Sequence, residues 1–60
     1  MVKLFEGLYE NKQVTVLLDG DRVVLVDDVT GEATVWNDEP YTEDDWSLIK
    51  DSLCREGFRF

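Results

Sequence analysis

Before its single proline, Pro40, the chain reads as strand-like apolar runs divided by turn residues, of which "VTVLL" and "RVVLV" do not alternate cleanly with polar residues, and after it apolar residues fall at helical spacing. The stretch "QVTVLLDGDRVVLV", residues 13 to 26, sets two β-branched runs around Asp19-Gly20-Asp21, the residue types that a tight hairpin turn selects. Whether the turn centres on Asp19-Gly20 or on Gly20-Asp21, Val14, Val16 and Leu18 share a face with Val23 and Leu25. A second hairpin is predicted in "VDDVTGEATVW", with Thr30-Gly31 at its tip. Its register is open by one residue, and a slip of one carries Trp36 from one face of the sheet to the other. "LFEGLYENKQV" predicts a third hairpin about Asn11-Lys12, which sets Phe5, Gly7 and Tyr9 beside Leu18, Val16 and Val14.

Thr42 followed three residues later by Asp45 resembles a capping box with Asp in place of Glu or Gln, and Gly57 suits a helix C-cap. A helix is therefore expected over roughly 43–56. Trp46, Ile49 and Leu53 form a stripe that should pack on the sheet, with Cys54 at its margin as a small hydrophobe and Leu48 on the opposite side. "FRF" at the end predicts a short final strand, Phe58 and Phe60 facing one way and Arg59 the other. The expected fold is α+β: an antiparallel β-meander of about four strands, one C-terminal helix packed on it and a short terminal strand, all in a single domain, 1–60.

That sheet has two apolar faces. One carries Phe5, Tyr9, Val14, Val16, Leu18, Val23 and Leu25; the other carries Leu4, Leu8, Leu17, Val24 and Val26 with Thr15 among them. One helix covers one face. Either the sheet curls into a small barrel with both sets inside, or the second face meets a partner or a second copy of the chain.

Composition adds charge to this picture. Fourteen acids against six bases give a net charge of -8, and ten of the acids lie between residues 27 and 56 with only Lys50 and Arg55 to balance them. Such a field disfavours nucleic acid and anionic membranes as direct partners and favours basic protein surfaces. With 43% hydrophobic residues and seven aromatics the chain has enough apolar surface to fold. No apolar run approaches a membrane span and the N-terminus lacks a signal-peptide pattern, so a cytoplasmic protein is expected.

The densest acidic stretch is "WNDEPYTEDDW". Glu43, Asp44 and Asp45 suit the first turn of a helix, where unpaired N–H groups and the dipole favour negative charge. Asp38, Glu39, Asp27 and Asp28 are not explained in this way, and the seven together are the candidate acidic contact surface, with Trp36, Tyr41 and Leu48 as apolar anchors within it. Trp46 is assigned to the core, leaving Trp36 or Tyr41 as the exposed aromatic. Catalytic chemistry is not indicated: there is no histidine, the one cysteine has no base, and no apolar pocket is marked that would separate the pKa values of a carboxylate pair. The EF-hand spacing is absent around "DGD" and "NDE", so neither metal nor cofactor is expected.

A short, strongly acidic chain of strands and one helix with apolar surface beyond its own core resembles the small acidic inhibitors that phages encode against host nucleic-acid enzymes. Uracil-DNA glycosylase inhibitors and several anti-CRISPR proteins form this class. "VTVLLDGD", residues 14 to 21, is similar to the strand and acidic turn of the glycosylase inhibitors over about eight residues. The resemblance implies DNA mimicry: a protein partner with a basic surface, in the host cytoplasm, and no enzymatic activity. The alternative is a small accessory or adaptor subunit with no nucleic-acid-enzyme target; in a salt-adapted organism eight Asp and three Lys would be ordinary surface adaptation.

Overall fold

The computed structural model describes residues 1–37 and 39–60; Asp38, one of the candidate contact acids, lies outside the described residues. Four strands, β1 (Val2–Tyr9), β2 (Lys12–Asp19), β3 (Arg22–Asp27) and β4 (Ala33–Val35), form one antiparallel sheet in the order β1-β2-β3-β4, and the helix α1 (Trp46–Arg55) follows them. This is the expected α+β meander.

The β2–β3 hairpin turns on Gly20-Asp21, with Leu18 opposite Val23 and Val16 opposite Leu25. The β1–β2 hairpin differs from expectation. Its turn centres on Glu10-Asn11, so Gly7 lies opposite Val14 rather than Val16, and Phe5 opposite Val16 rather than Leu18. The shift is by two residues and leaves the faces unchanged. Both turn residues have left-handed backbone, φ 51° and 65°, the geometry of a type I′ turn, for which Asn-Gly is the preferred pair. Replacing Glu10-Asn11 by Asn-Gly is therefore expected to raise stability by about 1 kcal/mol, read as a higher urea midpoint at unchanged slope; a lower midpoint would reject this account of the turn.

Between Lys3 and Phe5 the register of β1 slips by one. The slip is a β-bulge at Leu4, and it overturns one expectation. Leu4 does not join the second face but packs, beside Phe5, against the main core, because the extra residue in a bulge is freed from strict alternation.

The core lies between the sheet and α1: Val14, Val16, Leu18, Val23, Ile49, Leu53 and Phe58, bordered by Leu4, Phe5, Tyr9, Leu25, Trp36 and Tyr41. Thr42 and Asp45 open the helical segment. The Asp45 carboxylate accepts the Thr42 backbone N–H at 2.8 Å and its hydroxyl at 3.3 Å, so aspartate performs the glutamate half of a capping box. Glu43–Asp45 is a turn of 3-10 helix that leads directly into α1. At the other end Gly57 (φ 108°) closes a Schellman motif: its N–H bonds the Cys54 carbonyl and that of Phe58 bonds the Leu53 carbonyl, each at 3.1 Å. The reversal drives Phe58 into the core against Leu53.

The final residues then run beside β1. Leu8 and Arg59 exchange N–H···O bonds of 2.8 Å in both directions, Phe58 stacks on Tyr9 and Phe60 meets Phe5 edge-on. Phe58 and Phe60 thus face the core side and Arg59 the other, as expected, although the segment forms a single bridge rather than a strand. The barrel alternative is not realised. The outer edge of β1 is taken by the C-terminus, β4 is three residues long, and the sheet stays open. Among the described residues no helix is long and apolar enough to cross a membrane.

Candidate functional site

The six candidate acids among the described residues do not form one cluster. β3 separates them, running roughly 17 Å from Arg22 to Asp27 at about 3.4 Å per residue. At its far end Asp27 and Asp28 are bound into local structure. The Asp27 carboxylate accepts the backbone N–H groups of Val29 at 2.8 Å and Thr30 at 3.2 Å, holding the β3–β4 loop. Asp28 accepts the hydroxyl of Thr15 at 2.8 Å, which places its carboxylate on the second sheet face.

At the near end the chain after β4 is tied to the β2–β3 turn. Asn37 accepts the Val23 N–H at 2.7 Å and donates to the carbonyls of Asp21 and Glu39, while the Tyr41 N–H bonds the Asp21 carbonyl at 2.9 Å. These contacts gather Asp21, Glu39 and, through Tyr41 and Thr42, the acidic helix start into one neighbourhood. Asp45 is occupied by capping, whereas Glu39, Glu43 and Asp44 are exposed. The ion pairs among the described residues, Lys3–Glu6 at 3.2 Å and Asp51–Arg55 at 2.8 Å, involve none of these acids. Asn37, which organises this end, carries no sequence signal; a single asparagine in a loop is indistinguishable from any turn residue.

The aromatic anchors are rearranged relative to expectation. Trp36 lies on the core side, its backbone N–H bonded to the Val23 carbonyl, which settles the open register of the second hairpin. It stacks with Tyr41 at 6.1 Å between centroids, and its indole N–H donates to Glu56 at 2.8 Å. Both rings are half-buried against the core. Trp46, expected in the core, is 52% exposed. The reason is geometric: the α-helical turns begin only at Trp46, after a 3-10 turn, and Trp36 and Tyr41 already line that border of the core. Leu48 is exposed, as the spacing predicts, and Cys54, expected at the margin of the buried stripe, is exposed as well. The free apolar groups beside Glu43 and Asp44 are therefore Trp46 and Leu48, while Trp36 and Tyr41 wall a shallow depression with Asn37 and Glu39.

The second sheet face is arranged in cross-strand rows. Lys3, Leu17, Val24 and Val35 make one row and Glu6, Thr15, Val26 and Ala33 the next. Asp19 and Arg22 pair beyond the first row, and Gln13 lies beyond the second with Leu8 on one side and Asp28 on the other. Arg59, bridged to Leu8, faces the same way. Charge is divided sharply between the two sides. This face holds three bases (Lys3, Arg22, Arg59) and three acids (Glu6, Asp19, Asp28), a net of zero, whereas the ten acids and three bases among the other described residues carry a net of -7.

Among the described residues no polar or charged side chain is buried, and no three acidic or thiol side chains converge to hold a metal ion. The geometry offers contact surface: an acidic side carrying exposed Trp46 and Leu48, and a charge-balanced apolar side. No family model, curated protein or solved structure matches this chain.

Proposed function

We propose that this chain is a small binding protein that occupies the basic, nucleic-acid-binding surface of another protein, in the manner of a DNA mimic of the phage-inhibitor type, working in the cytoplasm of the host cell. The observation that carries this reading is the partition of charge: the described residues off the second sheet face carry a net of -7, with exposed Glu43 and Asp44 at the start of the helix that bears exposed Trp46 and Leu48, and exposed Glu39 in the preceding loop. Acids in such an arrangement steer a basic partner and set its orientation, and a large aromatic and a leucine supply the desolvated contact that holds it. In this reading the chain has no chemistry of its own. Among the described residues no carboxylate is buried, and the chain holds no histidine to activate exposed Cys54.

The test is capture from lysate at low salt on the immobilised protein, followed by displacement with duplex DNA. Nucleic-acid-binding proteins should be retained, should be released by DNA, and should be lost when Glu39, Glu43 and Asp44 are changed to Gln, Gln and Asn. Screening lengths fall from about 10 Å at 0.1 M to about 3 Å at 1 M salt, so binding should weaken steeply over that range. Partners indifferent to DNA, to salt and to the triple substitution would reject the proposal.

A second reading, a small accessory or adaptor subunit with a solubilising acidic coat, is favoured by one specific feature. Asp27, Asp28 and Asp45 bond loop, strand and helix start, and they lie at both ends of the sheet. A dispersed coat needs no continuous acidic surface. Under that reading the triple substitution leaves partner binding unchanged.

A further inference from the structure

We propose that the second sheet face is the interface of a homodimer, two copies packing sheet to sheet about a two-fold axis that lies between them and runs across the strands. Val35 and Leu8 are 50% and 46% exposed on this face; between them Leu17 and Val26 are half-buried and Val24, enclosed by its neighbours in the sheet, is buried. The described residues off this face carry a net of -7, so the basic partner proposed above belongs with them and not here. The occupant of this face must be apolar and electrically balanced, and its own second copy meets both conditions.

The pattern of rows is self-complementary. An axis midway between the row Lys3-Leu17-Val24-Val35 and the row Glu6-Thr15-Val26-Ala33 sets each row of one copy over the other row of the second. Lys3 then lies over Glu6 of the second copy, and Arg22 over Asp28 of the second copy. Large residues fall over smaller ones, Leu17 over Thr15 and Val35 over Ala33, as interdigitating sheets require. Thr15 is the one polar group in the centre, and its hydroxyl is already donated to Asp28 at 2.8 Å, so burial leaves no hydrogen unpaired. Self-repulsion between two chains of -8 is weakened by the placement of the excess acids away from this face, and is screened over roughly 8 Å at physiological ionic strength.

Analytical ultracentrifugation of the full chain alone, at 0.15 M salt, tests this without any partner, so its outcome is independent of the proposed function. The wild type should sediment as a dimer at micromolar concentration. Arg22→Asp and Asp28→Arg, both at exposed positions, should each weaken self-association at least about tenfold, because each places like charges opposite one another twice per dimer. The double variant should recover the charge part of the loss, though not the part due to the Thr15 hydroxyl, which Asp28→Arg leaves without its acceptor, and circular dichroism should show all three folded. Leu17→Asp, at the centre, should give a monomer. A wild type that remains monomeric at high micromolar concentration overturns the proposal. Single and double charge reversals that add without recovery overturn the proposed axis.

Discussion

Ile49→Ala is expected to leave the protein largely unfolded at 25 °C. Ile49 and Leu53 are the two helix residues with no exposed surface, and both sit over Val16 and Val23, which are equally enclosed. Truncating a fully buried isoleucine costs about 2–5 kcal/mol, the lost transfer energy plus the cavity left behind. A core of this size supplies only about 3–5 kcal/mol of net stability in total. The sheet has no second helix with which to close the gap. Urea unfolding followed by circular dichroism checks the expectation, with Leu48→Ala on the exposed side of the same helix as the control, expected within about 0.5 kcal/mol of wild type. A loss at Ile49 below about 1 kcal/mol would show that the helix is not the principal cover of the core.

Gly7→Ala is expected to detach the C-terminal residues from the sheet. A Cβ at position 7 would stand 2.3 Å from the Arg59 carbonyl oxygen and 2.3 Å from the Phe60 ring, distances that real Cβ atoms do not reach. The backbone must therefore give way where Leu8 and Arg59 exchange their two hydrogen bonds. With it goes the seating of Phe58, whose burial alone is worth about 1.5–3 kcal/mol, and the stack of Phe58 on Tyr9 at 4.3 Å. A loss of about 2–4 kcal/mol follows, with the amides of Leu8 and Arg59 exchanging hydrogen much faster than those of β2. Deleting residues 58–60 should cost a similar amount, and Gly7→Ala should then add little, because the two changes remove the same contacts. Full additivity, or continued protection of the Arg59 amide, would show that the segment adapts around the methyl group.

These two sites differ in how far the sequence announces them. Ile49 and Leu53 are evident from helical spacing alone. The role of Gly7 is not, since nothing in "LFEGLYE" shows that a distant phenylalanine will lie across it. The acidic surface is legible as composition and illegible as shape. Counting acids gives -8, but only the fold shows that Asp27, Asp28 and Asp45 bind neighbouring backbone or hydroxyl groups while Glu39, Glu43 and Asp44 stand free. The aromatic assignments were reversed for a related reason. Helical spacing placed Trp46 inside, but the border it would have covered is occupied by Trp36 and Tyr41 from a loop whose path depends on Asn37.

By itself the sequence determined four strands in meander order, the helix with both of its caps, and the core faces of β2 and β3, because these follow from short-range physics. Alternation fixes a strand's faces, turn residues fix a hairpin, and capping groups satisfy N–H and C=O groups within a few residues. The tertiary structure alone decided that a bulge turns Leu4 inward, that Trp36 lies opposite Val23, that Trp46 is half exposed, and that three bases and three acids share one apolar face with no net charge. Each of these depends on what stands across from a residue and not on what precedes it in the chain. A register shift or a bulge costs little within one strand, and which alternative forms is settled by the burial that the facing elements gain or lose.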